Sequence, residues 1–421
     1  MKRRIAFITL AMVVMAIPLL ISCSPAATPP APPTPPAEVK TLKVGASLPF
    51  TDSMGIDTKK ALEMIVPAFN KAGGLTVKGQ QYNLDYLPYI YDDKYTADGG
   101  RAAVERLVNE DKVKFIVGQI GSAPIVAGLT VTEPARVLVF GGGASDKIIN
   151  PNNKYVFGTA VWRTNLPPLF PYLKQAFPNA RTIVNLSPDD ETGKNLARDN
   201  SKVAAAAGFT VLDSVYYPRP TQDFAPFATK VVSLNPDVVN FPGTAAGTPF
   251  GLQLKALYEA GYKGGLVSPM PPNLPEVLSV APREALEGMV TIMPPTEVPT
   301  PTPMASQYQK DWTARYGQWS VASLQWIPAF YAFAEAIKKA DSLDPEAVAS
   351  YISANGLSWE SPNGKAMLVK RPDYKNDRFC DTVSSLNFGK FIGGKYEFLG
   401  SISAEDLAKA NEAAFGGGSW K

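Results

Sequence analysis

Hydrophobic and polar positions along the chain follow two alternating patterns. Short runs rich in apolar residues, such as 42–48 and 114–118, predict buried strands. Between such runs, apolar residues recur every three or four positions, as between residues 61 and 69, which predicts amphipathic helices. Strands that alternate with helices of this length form parallel βαβ units with right-handed crossovers. The pattern therefore predicts an α/β protein.

The same alternation occurs twice. Its two runs predict two doubly wound parallel-sheet lobes, because each run is long enough to form its own sheet with helices on both faces. The predicted strands are 42–48, 82–90, 114–118 and 137–140 in the first run, and 182–186, 209–216, 237–241 and 266–268 in the second.

The last third of the chain has a different pattern. Prolines dominate 294–303, which predicts an irregular surface segment. Gly393 and Gly394 separate two short apolar runs and predict a hairpin. Too few strands remain for a third sheet. We therefore expect this part to pack against both lobes, with the chain crossing between them more than once. The predicted helices here are 305–316, 324–340, 345–354 and 403–415.

The amino-terminal residues are typical of an export signal. Lys2, Arg3 and Arg4 precede an apolar stretch, 5–21, and Cys23 follows it directly. This arrangement resembles the lipobox of bacterial lipoproteins, which implies cleavage before Cys23 and a lipid on its sulfur. The alternative is an uncleaved membrane anchor, but the stretch is shorter than the roughly 20 residues that a spanning helix needs.

A proline-rich segment, 24–37, follows the cysteine. It has no large apolar side chains to bury, and its prolines favour an extended polyproline II conformation. At about 3.1 Å per residue, such a spacer holds a folded body roughly 40 Å from a lipid. We therefore expect residues 1–40 to lie outside the folded body.

Composition narrows the possible functions. The chain has no histidine, which excludes Ser-His-Asp and Cys-His catalysis and removes the commonest zinc ligand. Removal of the signal lowers the 41 Lys and Arg to 38, equal to the 38 Asp and Glu. This balance argues against nucleic-acid binding, which needs a basic excess. With Cys23 lipidated, only Cys380 remains, so no internal disulfide is expected.

Candidate ligand contacts lie in loops that follow the predicted strands. In open α/β sheets, ligands bind beyond the carboxyl ends of the strands, where glycines, hydroxyls and helix N-termini favour an anion such as a carboxylate. The alternative to ligand binding is that each loop is a structural glycine turn capped by serine. The acidic residues 189–191 predict a helix cap more than a metal site. The loops are 50–55, 119–124 and 141–146 in the first lobe, and 188–193 and 243–248 in the second.

The order and spacing of several motifs resemble the type I periplasmic binding proteins of the leucine/isoleucine/valine-binding family. The resemblance implies two lobes joined by a three-stranded hinge, which close on a small molecule and deliver it to a membrane permease of an ABC importer. The motifs are Leu42 to Phe50 with Gly55, Phe69 to Gly74, Tyr91-Asp92-Asp93, Phe115 to Gly118, Gly142 to Ser145 and Ala256 to Gly261.

The resemblance also implies which residues contact the ligand. Ser122 matches the serine that holds a ligand carboxylate, and Gly143, Ala144 and Ser145 match the turn that contacts carboxylate and ammonium. The further candidates are Met54 at a wall position, Thr192 where an aromatic side chain commonly covers the ligand, and Thr244 in the contacting loop of the second lobe.

One position departs from the family pattern. Amino-acid binders carry an acid after the strand near residue 268, whereas this chain has Met270 there. A buried ammonium without a charge partner is costly, so an apolar carboxylate or an amide competes with an amino acid as the ligand. Met54, Trp162, Phe241 and Met270 are the expected apolar walls, and hinge packing is the equally open alternative for Trp162.

The expected function is that of a lipid-anchored, extracytoplasmic solute-binding protein with no catalytic residue, cofactor or metal. The alternatives are a ligand-sensing receptor that signals to a membrane partner and, third, an extracellular hydrolase. The expected organisation is a signal peptide at 1–22, a lipidated tether at 23–40, a first lobe of 41–160 with about 293–358, and a second lobe of 161–292 with about 359–421.

Overall fold

A computed structural model describes residues 38–159, 163–244 and 246–415. The predicted lipidation site Cys23 and the predicted wall residue Trp162 lie outside these ranges. Within them, no helix combines the length and apolar character required to cross a bilayer.

The first part of the chain forms eight strands and three helices. They are β1 (Lys40–Lys43), β2 (Ala46–Leu48), α1 (Ser53–Lys71), β3 (Leu75–Val77), β4 (Gln80–Asp85), β5 (Ile90–Asp92), α2 (Ala97–Asn109), β6 (Phe115–Ile120), α3 (Ser122–Ala135), β7 (Leu138–Gly142) and β8 (Val156–Gly158).

A parallel sheet forms the centre of the first lobe. Strand β2 pairs with β5, and β6, β7 and β8 pair in that order, all in parallel. A parallel bridge between Gly45 and Ile116 joins the two groups. Strands β1, β4 and β3 form a separate small sheet. The predicted single strand 42–48 is therefore wrong, because its two halves pair with different neighbours on either side of Gly45. A Cβ at Gly45 would lie 2.6 Å from Leu107 Cδ2, so glycine allows this close packing.

The middle of the chain forms five helices and five strands. They are α4 (Leu166–Ala176), β9 (Thr182–Pro188), α5 (Glu191–Ala206), β10 (Thr210–Tyr217), α6 (Ala225–Ser233), β11 (Val238–Asn240), α7 (Thr248–Glu259), β12 (Gly265–Ser268), α8 (Leu274–Val277) and β13 (Val290–Ile292).

The last part of the chain adds four helices and five strands. They are α9 (Pro303–Tyr316), α10 (Pro328–Ala340), α11 (Pro345–Asn355), β14 (Ser358–Ser361), β15 (Gly364–Arg371), β16 (Asn376–Ser384), β17 (Leu386–Ile392), β18 (Lys395–Ile402) and α12 (Ala404–Phe415).

The second lobe contains a seven-stranded sheet in the order β10-β9-β11-β12-β13-β17-β18. Its first five strands are parallel, and β17 and β18 extend it as the predicted antiparallel hairpin. The predicted fold class is confirmed, because two parallel-sheet lobes alternate strands with helices as the hydrophobic pattern requires.

One expectation about the last third is wrong. Strands β14, β15 and β16 form a third, antiparallel sheet. Its side chains alternate between buried and exposed, and Trp359, Ala366 and Leu368 pack into the same hydrophobic core as α10. The aromatic residues Trp326 and Phe330 belong to that core.

We propose that the chain passes between the lobes three times, judged from the strands and helices of its described residues. The segments run from β8 to α4, from β13 to α9 and from β16 to β17. Because Trp359 and Leu368 share the first-lobe core while β17 pairs in the second-lobe sheet, we propose that the third crossing lies near Ser385.

Candidate functional site

Ser122 is fully buried at the first turn of α3, immediately after the central strand β6. Gly121 forms the turn between them with φ +90°, a conformation that side chains other than glycine rarely adopt. A Cβ on Gly121 would lie 2.5 Å from the Tyr95 ring. The strand end and this turn therefore hold Ser122 at the carboxyl edge of the sheet, as predicted.

Ser122 also organises the loop that follows β7. Its Oγ accepts hydrogen bonds from the backbone N–H of Ala144 at 2.9 Å and of Ser145 at 3.1 Å. A Cβ on Gly143 would lie 3.0 Å from Ser122 N, so this glycine permits the close approach of the two loops. The structure thus brings together four of the five first-lobe residues that the family pattern indicated, namely Ser122, Gly143, Ala144 and Ser145.

Thr192 of the second lobe contacts Ser122 directly. The Thr192 hydroxyl donates to Ser122 Oγ at 2.9 Å and accepts from Ser122 N at 3.2 Å. Thr192 lies in the first turn of α5, where Asp190 caps the helix by accepting from Gly193 N at 2.8 Å. The predicted capping role of the acidic residues is therefore confirmed for Asp190. We refer to Ser122, Ala144, Ser145, Glu191 and Thr192 as the interlobe junction.

Ser145 binds a carboxylate of the protein itself. Its hydroxyl donates to Glu191 Oε1 at 2.6 Å, and Lys147 Nζ donates to Glu191 Oε2 at 3.2 Å. Burial acts to raise the pKa of Glu191, but these two hydrogen bonds outweigh it and hold the pKa below its ordinary value. The Ser145 hydroxyl, which was predicted to orient a ligand carboxylate, therefore donates its hydrogen bond to a glutamate of the second lobe.

Ion pairs and hydrogen bonds surround the junction. Asp146 accepts from both terminal nitrogens of Arg198, at 2.7 and 2.9 Å, which is the bidentate geometry that guanidinium and carboxylate favour. The buried Arg163 donates to Ala144 O at 3.1 Å and to Asp146 Oδ1 at 3.3 Å. Ser53 donates to Glu276 Oε2 at 3.1 Å. These contacts join the loop after β7 and the start of α1 in the first lobe to residues of the second lobe.

Two predicted ligand contacts lie inside the second lobe. Thr244 Oγ1 is 3.2 Å from the hydroxyl of Tyr217 and 3.4 Å from Gln253 Oε1. The Phe241 ring packs edge-on against Phe250 at 5.0 Å, within the second-lobe core. Both side chains are buried among residues of their own lobe.

A cavity of about 90 Å³ lies where the three crossing segments meet, and we refer to it as the hinge cavity. Met270 lines it, whereas Met54 is buried in the core cluster that also contains Met270. The described residues that line the cavity include no charged side chain. Its apolar lining comprises Met270, Ile292, Met293, Val321, Leu324 and Leu386, and its polar lining includes Thr159, Asn165, Gln325 and Asn363.

Four polar residues of the hinge cavity have buried atoms without a hydrogen-bond partner among the described residues. They are Thr159 through Oγ1, Asn165 through Oδ1, Asn363 through Oδ1, and Gln325 through both Oε1 and Nε2. Buried polar atoms in folded proteins almost always have a partner in the protein or in ordered water.

Comparison with known proteins identifies the family. Residues 41–377, more than half of the chain, match the family described as periplasmic binding protein. The chain belongs to that family. The predicted resemblance to type I periplasmic binding proteins is confirmed.

Similar proteins include a leucine-, isoleucine-, valine-, threonine- and alanine-binding protein of Pseudomonas aeruginosa. It is 26% identical over 348 residues, which cover 80% of this chain and 88% of that protein. A leucine-binding protein of Thermotoga maritima superposes with a TM-score of 0.69 at 19% identity, covering 87% of this chain and 99% of that one. A solute-binding protein of an ABC transporter from Rhodopseudomonas palustris, in complex with 3,4-dihydroxybenzoic acid, superposes with a TM-score of 0.68 at 20% identity, covering 86% and 98%.

The hinge cavity of this periplasmic binding protein was not predicted from the sequence. Gln325 follows a 3-10 turn, 321–324, and Asn363 lies in the turn between β14 and β15, a hairpin that the sequence analysis missed. Asn165 precedes α4, which was also missed. Gln325 and Asn363 do not follow a strand of either parallel sheet, and Asn165 lies in the segment after β8, a strand that was not predicted, so the strand-end rule did not point to them. The alternating burial of β15 is the one signal that could have placed Asn363 near the core.

Proposed function

We propose that this periplasmic binding protein captures a small organic solute outside the cytoplasmic membrane and delivers it to the permease of an ABC importer. The observation that carries the proposal is the direct contact between the two lobes, in which Thr192 donates to Ser122 Oγ at 2.9 Å. Loops at the carboxyl ends of strands in two separate sheets meet there, which is the contact expected when hinged lobes close.

The candidate solutes are a branched-chain amino acid or a related carboxylate or amide. Two similar proteins support this range. The one from Pseudomonas aeruginosa is named as a binder of amino acids, and the one from Rhodopseudomonas palustris is in complex with an aromatic acid. Met270 in place of an acid weakens the case for an ammonium group, because a buried ammonium requires a charge partner. The protein is proposed to act by binding and not by catalysis.

Small-angle scattering with thermal unfolding tests the capture step. A panel of branched-chain amino acids, benzoates and short amides is titrated into a soluble form of the protein, residues 24–421, which lacks the signal peptide and the lipidated Cys23. We expect one class to raise the melting temperature and to reduce the radius of gyration, because a solute that binds between the lobes stabilises the closed form. A panel without any effect on either quantity would exclude the proposal.

Delivery is tested in cells. A strain that lacks this protein should lose uptake of the labelled solute found in the panel, and the wild-type gene should restore uptake. Unchanged uptake in the deletion strain, with binding intact in vitro, would instead favour the sensing receptor.

We further propose that a lipid on Cys23 holds the protein to the outer face of a membrane. The sequence supports this through the basic start, the apolar stretch and the cysteine. Cys23→Ser should abolish labelling by a radioactive fatty acid and should move the protein into the soluble fraction. A membrane-bound, unlabelled wild-type protein would indicate an uncleaved anchor.

A further inference from the structure

The loop that follows β7 and helix α5 contact each other through two pairs of opposite charge. Asp146 and Lys147 are neighbours in the loop of the first lobe, and Glu191 and Arg198 lie seven residues apart on α5 of the second lobe. Residues seven apart share one face of an α-helix, so the loop meets both side chains at once. Arg198 donates to Asp146 at 2.7 and 2.9 Å, and Lys147 Nζ donates to Glu191 Oε2 at 3.2 Å.

The order of these charges selects one arrangement of the two elements. Each acid meets a base, whereas an exchange of partners would place the Asp146 carboxylate against that of Glu191 and the two cations against each other. Complementary charges of this kind fix the register of a contact, because the alternatives bring like charges together. Since the loop belongs to the first lobe and α5 to the second, the selected arrangement sets the position of one lobe relative to the other.

The loop itself is held in place by the first lobe and by a crossing segment. Arg163, whose side chain is 3% exposed, donates to Ala144 O at 3.1 Å and to Asp146 Oδ1 at 3.3 Å. Its second terminal nitrogen lies 3.7 Å from Asp381 Oδ2 of β16. Ser122 Oγ accepts from Ala144 N at 2.9 Å. The loop is therefore ordered independently of α5, so little further ordering is needed when the lobes meet.

The two carboxylates are charged at neutral pH. Burial acts to raise the pKa of Asp146 and of Glu191, but hydrogen bonds and the neighbouring bases hold both pKa values below the ordinary ones. The side chains of Asp146 and Arg198 are 36% and 39% exposed, so solvent and salt reach the pair. Ion pairs of this exposure contribute modestly and weaken as salt rises. The contact therefore favours closure while leaving an open fraction that a solute can enter.

We propose that Asp146, Lys147, Glu191 and Arg198 form a charge latch that biases the two lobes towards contact before a solute binds. Every bond of the latch is made between protein groups, so none of them depends on a solute. A solute enters through the open fraction, so the latch regulates how much of the protein is ready for capture. The inference rests on the proposed function, because it concerns the lobes that capture the solute, but its test uses no solute.

Hydrogen exchange at Ser122 reports the opening of the latch. The Ser122 N–H donates to the Thr192 hydroxyl across the lobes at 3.2 Å, so it loses its acceptor when the lobes separate. The Ala144 N–H bonds to Ser122 Oγ within the first lobe and keeps that acceptor. When closing is faster than exchange, the exchange rate at Ser122 is proportional to the fraction of open molecules. Exchange at Ala144 is therefore the internal reference in every variant.

NMR of the soluble form, residues 24–421, measures both exchange rates without solute. We expect Asp146→Asn to speed exchange at Ser122 about fivefold, the change that about 1 kcal/mol produces, and to leave exchange at Ala144 unchanged. Arg198→Gln removes the same pair, so it should act alike, and the double variant should not exceed about fivefold. In 1 M NaCl, exchange at Ser122 of the wild type should rise relative to Ala144, because salt screens the latch.

Glu346→Gln is the matched control. Glu346 accepts from Arg136 at 2.7 Å, as Asp146 does from Arg198, but both members of this pair lie in the first lobe. The variant removes the same charge, and we expect exchange at Ser122 to stay at the wild-type rate. Equal acceleration by Glu346→Gln and Asp146→Asn would indicate a general effect of net charge and would overturn the latch.

Two further results would overturn the proposal. One is unchanged exchange at Ser122 in both latch variants, and the other is equal acceleration at Ser122 and Ala144, which would mean that the loop itself unfolds. If the latch fails while a solute of the panel raises the melting temperature, the proposed solute capture stands. If the latch variants respond as expected while no member of the panel binds, the latch stands and the proposed capture fails.

Discussion

The interlobe junction and the hinge cavity both place polar side chains between elements of the two lobes, but they differ in how those side chains are satisfied. At the junction, Ser122 Oγ accepts from two backbone N–H groups and from Thr192. In the cavity, Gln325 has neither of its amide atoms bonded among the described residues. The junction therefore joins the two lobes through satisfied hydrogen bonds, whereas the cavity lining retains buried polar atoms without a partner among the described residues.

This difference follows from burial and charge. A fully bonded polar group contributes modestly to stability, whereas an unbonded buried group costs about 1–3 kcal/mol. Substitutions in the two regions should therefore change stability in opposite directions. The following predictions test that contrast in order of decreasing effect.

The largest effect is expected for Ser122→Ala. It leaves the N–H groups of Ala144 and Ser145 buried without an acceptor, so the free energy of unfolding should fall by about 3 kcal/mol. Urea unfolding measures the change. Thr130→Ala is the control on the same helix, since the exposed Thr130 hydroxyl bonds only to Ala127 O, and it should change stability by less than about 0.5 kcal/mol. A similar small loss for both variants would contradict the role of the junction.

Gln325→Met should have the opposite sign. Removal of two unbonded polar atoms should raise the free energy of unfolding by about 1 kcal/mol in the absence of solute. The same substitution at Gln253, which is bonded to Tyr217, should lower it by about 2 kcal/mol. Urea unfolding of both variants checks the contrast. Destabilisation of equal size at the two positions would show that Gln325 is satisfied in solution.

Asp146→Asn tests the ion pairs beside the junction. Asp146 is partly exposed and pairs with Arg198, so the variant should lose at most about 1 kcal/mol at neutral pH. Burial acts to raise the pKa of Asp146, but the hydrogen bonds and charge of Arg198 together with the charge of Arg163 hold it below its ordinary value of 3.8. A lowered pKa stabilises the folded state above the unfolded pKa, and this contribution is lost as the pH falls.

The stability difference between wild type and Asp146→Asn should therefore shrink as the pH falls below 3.8. Thermal unfolding of both proteins from pH 7 to pH 3 measures it. A difference that stays constant over this range would rule out the ion pair as its source.

Lys147→Ala should have the smallest effect. The Lys147 side chain is 65% exposed and contacts Glu191 at the rim of the junction. Exposed ion pairs contribute little because water and salt screen them, so the loss should be less than about 0.5 kcal/mol and should vanish at high salt. Unfolding in 0.05 and 1 M NaCl tests this, and a loss above 1 kcal/mol in both would place Lys147 inside the junction.

The fold class could be predicted from the sequence because proteins with parallel sheets have a strong pattern of apolar positions along the chain. Buried strands such as β6 are rich in consecutive apolar residues, and helices such as α5 repeat their apolar positions every three or four residues. Sequence reasoning missed the sheet of β14, β15 and β16. Burial alternates in β14 and β15, which is a weaker signal, and the partners of all three strands come from the same part of the chain. Sequence reasoning also joined β1 and β2 into one strand, because apolar character alone does not report a change of pairing partner.

The sequence by itself determined that this chain alternates strands and helices in two lobes, that Ser122 and Ser145 follow strand ends, and that Met270 stands where an acid is expected. These properties depend on local spacing and residue type, which the chain carries without reference to its folded contacts. Only the tertiary structure decided that Thr192 and Glu191 bond to those serines, and that Asn165, Gln325 and Asn363 share one cavity. Such contacts join residues that are far apart in the sequence, 46 positions for Ser145 and Glu191 and 70 for Ser122 and Thr192, and they depend on distances that only the packed lobes define.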